Sequence, residues 1–206
     1  MKKKICVVTG SRADYGLLKP LILKIQNSKT LALQLVVTGS HLSSNHGKTI
    51  EEIKRDNFKI DKVVDIIDSQ DSPLDISKYI SKGIRKFSEA FSLLDPDIVF
   101  ILGDRYEIYS ASISAFFLGI PIAHHSGGEV TEGAFDDAIR HSITKMSNIH
   151  FVAALEYKKR VIQLGEHPDS VHVVGGFGIE NIKKQNFFDK PKLEKKLNIS
   201  FDNKIL

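Results

Sequence analysis

The chain has one cysteine among its 206 residues, Cys6, so no intramolecular disulfide framework can form. Its histidines and that cysteine do not fall at zinc-ligand spacings either. Cys6 lies inside the apolar run Ile5–Val8 and is expected to be a buried, inert thiol. No apolar stretch approaches the roughly 20 residues that a bilayer-spanning helix needs. The N-terminus imitates a signal peptide for a moment, with Lys2-Lys3-Lys4 before Ile5-Cys6-Val7-Val8, but the run is too short and breaks at Thr9-Gly10. A cytoplasmic protein without membrane contact is expected. Nucleotide fingerprints are missing as well. Gly10–Gly16 lacks Gly-x-Gly-x-x-Gly, which removes the main support for NAD or FAD. Gly47-Lys48-Thr49 ends like a phosphate-binding loop, but its upstream glycine position is Leu42. Gly175–Gly178 has the wrong spacing, and His124 and His125, neighbours on a strand, point to opposite faces and suit one metal poorly. No cofactor and no metal are expected. Recognition-helix, finger and aromatic-platform patterns are also missing, so nucleic acid is not an expected partner.

The formal net charge is +4, and much of the excess sits in Lys2–Lys4 and in the segment from Lys183 to Lys196. Basic ends of this kind solvate a terminus, and a mild surplus suits an anionic small substrate. Apolar runs and helical stripes alternate from the start. Strands are expected at Ile5–Val8, Leu33–Val37, Lys62–Ile66, Asp97–Leu102, Pro121–His124, Ile149–Val152 and Val171–Val174. Between them fall helices, among them a stripe of Ile76, Ile80, Ile84, Phe87, Phe91 and Leu94 closed by Asp95-Pro96, which reads as core or as a dimer face. Such alternation implies an α/β fold, a Rossmann-like parallel sheet with helices on both faces. After Val174 the chain changes character. Gly175-Gly176-Phe177-Gly178 reads as a hinge, a lysine-rich amphipathic stretch follows, and Lys204-Ile205-Leu206 resembles the start of another strand. The expected organisation is a first domain over residues 1–175, with 176–206 the hinge and beginning of a second Rossmann-like domain. That makes the sequence an N-terminal piece of a longer protein.

Polar residues and glycines collect at the carboxyl ends of the expected strands, where open α/β sheets bind ligands. Arg12 follows the first strand at a helix N-terminus and is placed to clamp a diphosphate or to pair with Asp14. His41, after the second strand, is either an exposed loop histidine or a ligand contact. Asp104 and Arg105 follow the fourth strand; the aspartate suits acid, base or hydroxyl-acceptor roles, with helix capping as the competing use. Ser126-Gly127-Gly128-Glu129 permits close backbone approach and brings another carboxylate. Asp136 and Asp137 open a helix, with Arg140 and His141 one turn on, a spacing that also suits plain i,i+4 pairs.

Taken together, Ser11-Arg12-Ala13-Asp14-Tyr15-Gly16-Leu17, Gly39-Ser40-His41-Leu42, Gly103-Asp104-Arg105-Tyr106-Glu107 and Gly127-Gly128-Glu129-Val130 through Asp136-Asp137-Ala138-Ile139-Arg140-His141-Ser142-Ile143-Thr144-Lys145 resemble the N-terminal half of the hydrolysing UDP-N-acetylglucosamine 2-epimerases. That family includes enzymes of bacterial sialic- and legionaminic-acid pathways, and the likeness covers about residues 4–182. The resemblance implies the first of two Rossmann-like domains in a glycosyltransferase-B-like architecture, with the site in the cleft between them. It implies elimination of UDP from a UDP-2-acetamido sugar, a glycal, and water addition with inverted C2. Asp104, Glu129 and Asp136 become the catalytic candidates, and Arg12, His41, Arg105, Ser126, Arg140 and His141 the substrate-binding ones. One position departs from the pattern: some members have a catalytic glutamate just before the Gly-Gly pair, and here it is Ser126. Either Glu129 supplies that function or a different acid/base pair does. The family also implies a dimer or tetramer. A non-hydrolysing epimerase and a non-catalytic sugar-nucleotide module are the alternatives, and the 206-residue piece alone is expected to be inactive.

Overall fold

The computed structural model describes residues 2–67, 72–184 and 187–201. Seven parallel strands form one sheet, β1 (Lys3–Thr9), β2 (Leu31–Thr38), β3 (Lys62–Val64), β4 (Ile98–Leu102), β5 (Ile122–His125), β6 (Ile149–Val152) and β7 (Val171–Val173). Their spatial order is β3-β2-β1-β4-β5-β6-β7. The chain therefore builds outward from β1 in one direction and then returns to build outward from β4 in the other. The C-terminal ends of β1 and β4 meet at this reversal, the crevice where doubly wound sheets take ligands.

Crossover helices cover both faces: α1 (Arg12–Gln26), α2 (Ile50–Arg55), α3 (Pro73–Leu94), α4 (Tyr106–Phe117), α5 (Asp136–Met146) and α6 (Leu155–Gln163). Two further helices, α7 (Phe177–Lys184) and α8 (Lys190–Leu197), follow the last strand. Strand residues alternate between two cores. Cys6, Val8, Val99 and Ile101 face Phe87, Phe91, Ile108 and Ala111 of α3 and α4. Val7, Leu35, Phe100 and Leu102 join the core that holds Leu18 and Ile22 of α1 and Ile53 of α2. Burial on both faces explains why these strands read as continuous apolar runs. Cys6 is fully buried, as expected, and burial pushes its thiol pKa far up.

The expected elements are present with shifted ends. β1 begins two residues before Ile5 because Lys3 and Lys4 pair with Leu31 and Ala32 while their side chains reach outward. The apolar stripe of α3 is core, but its centre is offset: Tyr79, Phe87, Ala90 and Phe91 are buried, while Ile76, Ile80, Ile84 and Leu94 are half-buried. The Gly175–Gly178 run is not a free hinge. Phe177 opens α7, stacks on the His125 ring at 4.4 Å between centroids and packs against the α1 core. The strand expected to begin at Lys204–Leu206 lies outside the described residues.

Candidate active site

At the end of β1, Ser11 caps α1. The Asp14 carboxylate reaches back to accept from the Gly10 N–H at 2.8 Å, the Ser11 N–H at 2.7 Å and the Ser11 hydroxyl at 2.6 Å. Asp14 is thus committed to the loop and not to Arg12, which pairs across to Glu52 of α2 at 3.3 Å and is largely exposed. Among the described residues that one ion pair is what holds the Arg12 guanidinium.

His41 lies in a single 3-10 turn after β2 (Gly39–Leu42) and is not an exposed loop histidine. It is fully buried, with Nε2 3.0 Å from Thr9 Oγ1 and Nδ1 2.7 Å from Thr49 Oγ1. Burial lowers its pKa against the opposing pull of Asp14 and Glu52. The neutral ring braces the loops after β1 and β2 against each other.

Past β4, Gly103 turns the chain at φ +84°. The His124 Nε2–H donates to its carbonyl at 2.9 Å, and His124 Nδ1 lies 3.4 Å from Thr144 Oγ1 on α5. Burial pushes the His124 pKa down to about 3, so the ring is a neutral bracket between β4, β5 and α5. His125, on the opposite face, stacks on Phe177, and burial lowers its pKa to about 4. The N-cap of α4 is Arg105, not Asp104. Asp104 therefore has no capping duty, and its carboxylate pairs with Arg140 instead.

Arg140 is the hub of the site. Its guanidinium is buried and donates to the Asp104 carboxylate, to Asp137 Oδ1 at 3.1 Å, to the Glu129 carbonyl at 3.0 Å and to Thr131 Oγ1 at 2.8 Å. One planar fork thus ties β4, the loop after β5 and the start of α5 together. The partner on its own helix is Asp137 rather than Asp136. Asp137 also accepts from the Thr131 N–H at 2.9 Å, the leading reason its pKa is lowered, and it pairs with His141 at 3.4 Å. Asp136 is half-buried at the first position of α5 and makes no hydrogen bond or ion pair among the described residues.

The Gly-Gly turn is pressed onto α6. A Cβ on Gly128, whose φ is +79°, would fall 2.4 Å from the Tyr157 carbonyl oxygen, and the Gly128 carbonyl accepts from Arg160. Ser126 adopts φ +72° and places its hydroxyl 2.9 Å from His125 Nδ1. Glu129 is half-buried. Its pKa is raised chiefly by burial and further by Asp104, with Arg140 and the Ser126 hydroxyl opposing.

The structure thus brings Asp104, Glu129 and Arg140 together, with Ser126 and His141 at the margins of that group. Arg12 and Arg105 stand at the ends of β1 and β4. His41 sits beneath them, closed off from solvent. Pattern reading missed Glu107, Thr131 and the part played by Asp137. Glu107 is wholly buried on the first turn of α4, with Oε1 2.6 Å from Arg105 Nε. An acid on the buried face of an otherwise apolar helix, one position before Ile108, was the available signal.

Residues 23–206 match the UDP-N-acetylglucosamine 2-epimerase family. A GDP/UDP-N,N'-diacetylbacillosamine 2-epimerase (hydrolyzing) of Campylobacter jejuni is 45% identical over 99% of this chain and 53% of its own length. Polysialic acid biosynthesis protein P7 of Escherichia coli is 46% identical over 94% of this chain and 50% of its own length. The crystal structure of the UDP-GlcNAc 2-epimerase of Neisseria meningitidis, bound to UDP-GlcNAc, superposes with a TM-score of 0.77 at 22% identity, over 95% of this chain and 51% of that one. The chain therefore belongs to the UDP-N-acetylglucosamine 2-epimerase family. It spans about half the length of the curated relatives it matches.

Proposed function

We propose that the protein of which this chain is part is a hydrolysing UDP-2-acetamido-sugar 2-epimerase, with residues 1–175 as one wall of a two-domain cleft. The observation that carries this reading is the Arg140 cluster. One buried guanidinium draws Asp104 to the Glu129 loop and the start of α5, while Arg12 and Arg105 stand at the neighbouring strand ends. Carboxylates beside cations are what the reaction needs. A base takes the C2 proton, the C1–O bond to the diphosphate breaks, and UDP leaves with the electron pair, stabilised by the arginines. Water then adds its hydroxyl to C1 of the glycal, and a proton is delivered to C2 on the opposite face. UDP and an N-acetylmannosamine-type sugar result. Glu129, with its pKa raised by burial, is the best suited of these carboxylates to hold a proton. Asp104, aligned by Arg140, and Asp136, free of partners among the described residues, are the other two candidates.

Relatives with hydrolysing names favour this reading over a non-hydrolysing epimerase. The cytoplasmic setting, a sialic- or legionaminic-acid-type pathway and assembly as a dimer or tetramer belong to the same proposal. The test is incubation of the full-length protein in D2O with UDP-GlcNAc and, separately, UDP-N,N'-diacetylbacillosamine, followed by NMR. Free UDP with a C2-deuterated, C2-inverted sugar is the expected result. An epimerised sugar still joined to UDP points to the non-hydrolysing enzyme, and binding without turnover to a non-catalytic module.

A further inference from the structure

Glu107 is a carboxylate at the β1/β4 crevice that, unlike Asp14, caps no helix, and the reaction scheme does not use it. Its side chain is fully buried on the first turn of α4. Oε1 accepts from Arg105 Nε at 2.6 Å, and Oε2 is buried with no hydrogen-bond partner. The ends of β1 and β2 close over it. A Cβ on Gly10 would lie 2.7 Å from Glu107 Cγ, and one on Gly39 would lie 3.0 Å from Oε1 and 2.5 Å from the Gly10 carbonyl. Gly39 also has φ +62°, a backbone that side chains resist. Two adjoining loops therefore keep glycine where this carboxylate sits, and the carboxylate cannot swing away.

Among the described residues, Arg105 is the only cation paired with Glu107. Nε is taken, its guanidinium carbon lies 5.9 Å from the centre of the Tyr106 ring, and the side chain is about half-exposed. The Nη groups, the two donors that form a fork, have no hydrogen-bond partner among the described residues. A carboxylate clamped by glycines thus holds Nε of a half-exposed arginine whose Nη edge is not engaged among those residues.

We propose that Glu107 is a positioning residue for the leaving diphosphate, acting by fixing the Arg105 guanidinium with its Nη edge presented to the phosphates. This rests on the UDP-sugar reading above. Charge alone and orientation predict opposite signs. If Glu107 were only a countercharge, removing it would strengthen anion binding, because the crevice loses a negative group. If it orients Arg105, removal weakens binding of phosphate groups despite the added positive charge. Because the departing UDP gains charge as C1–O breaks, kcat should fall by more than KM rises.

The experiment is E107Q in the full-length protein, with affinities for UDP and for uridine measured by calorimetry and kcat and KM by UDP release. The expected result is UDP binding about tenfold weaker, the loss of one oriented charge-assisted contact, with uridine binding unchanged. A double-mutant cycle with R105A should show that E107Q has little further effect once Arg105 is gone. Equal or tighter UDP binding by E107Q, an equal loss for uridine, or additive effects in the cycle would overturn the inference. If E107Q does not fold, E107D, which keeps the charge and shortens the reach, is measured in the same way, and an unchanged UDP-to-uridine ratio overturns it. Failure of the unaltered protein to bind UDP sinks the nucleotide-sugar reading and this inference together. UDP binding by the unaltered protein, with no weakening in E107Q, sinks this inference alone.

Discussion

Replacing Arg140 with methionine asks whether one guanidinium holds the candidate site together. The side chain is 5% exposed, and its two ionic partners, Asp104 and Asp137, are 21% and 31% exposed. Methionine keeps much of the volume, so the effect is that of lost charge and lost hydrogen bonds rather than of a cavity. Removing one partner of a buried pair typically costs about 3–5 kcal/mol. Both carboxylates here keep some water, which places R140M at the lower end, about 3 kcal/mol. For a domain of this size that corresponds to a fall in Tm of about 6–12 °C. Arg140→Lys keeps the charge but not the planar fork that reaches four acceptors, and should fall between the two. Thermal and urea unfolding followed by circular dichroism measure this. The double variant R140M/D104N should lose less than the sum of the single losses, since the two groups share one interaction. A loss below about 1 kcal/mol for R140M, or strict additivity with D104N, would refute the hub role.

Three more expectations follow from the same geometry. In the full-length protein Asp136→Asn should abolish UDP release with little change in Tm, whereas Asp104→Asn should abolish it and also lower Tm, because it takes an ionic partner from the buried Arg140; near-normal turnover in either removes that residue from the catalytic set. His124 and His125 have folded pKa values of about 3 and 4 against an ordinary 6.5, so the unfolded chain takes up protons first as pH falls. Their contribution to stability is full above about pH 6.5 and is lost as pH falls toward 4, by up to about 1.4 kcal/mol per pH unit for each ring. Glu107 and Glu129, with raised pKa values, act in the opposite sense. Urea midpoints at pH 7 and 5.5 should therefore show a flatter dependence in His124→Gln than in the parent, and equal slopes would contradict the assignment. Gly128→Ala combines a positive φ with a clash against the Tyr157 carbonyl and should cost at least about 2 kcal/mol in unfolding experiments. An alanine accepted without loss would mean the turn is not pressed onto α6.

Apolar periodicity made the sheet legible because the inner strands β1, β2, β4 and β5 are buried on both faces over half or more of their length and most helices bury one face. Ile149–Val152 comes out with the expected bounds, and α5 opens at Asp136 as expected. Ends shifted where backbone pairing outruns the apolar run, as at Lys3 and Lys4, whose side chains give no apolar signal. The site was legible as a set of residue types at strand ends, but its pairings were not. The i,i+4 spacing suggested Asp136 with Arg140. The fold instead offers Arg140 the Asp104 carboxylate from the next strand but one, and i,i+3 geometry brings Asp137 into the remaining position. His41 was unreadable for a related cause. Both its ring nitrogens are met by threonines, one on β1 and one just before α2, and such pairings depend on packing between elements that no local pattern encodes.

This division bears on how charge is arranged around β4. On the β5 side, Arg140 is buried and both its Nη groups are taken by acceptors, only the buried Nε being without a partner among the described residues, so its charge is spent on aligning carboxylates. On the β1 side, Arg12 and Arg105 are each held, among the described residues, through Nε alone, and their side chains remain accessible. A buried arginine whose Nη groups are both taken can orient an acid or base but has no accessible fork to offer a new anion. An arginine held at Nε alone keeps its Nη fork for a phosphate. The elimination proposed for the full-length protein needs both kinds at once, a fixed proton-transfer group at C2 and a receptive cationic edge at the leaving group. The reversal of strand order between β1 and β4 is what sets these two environments side by side on one sheet edge.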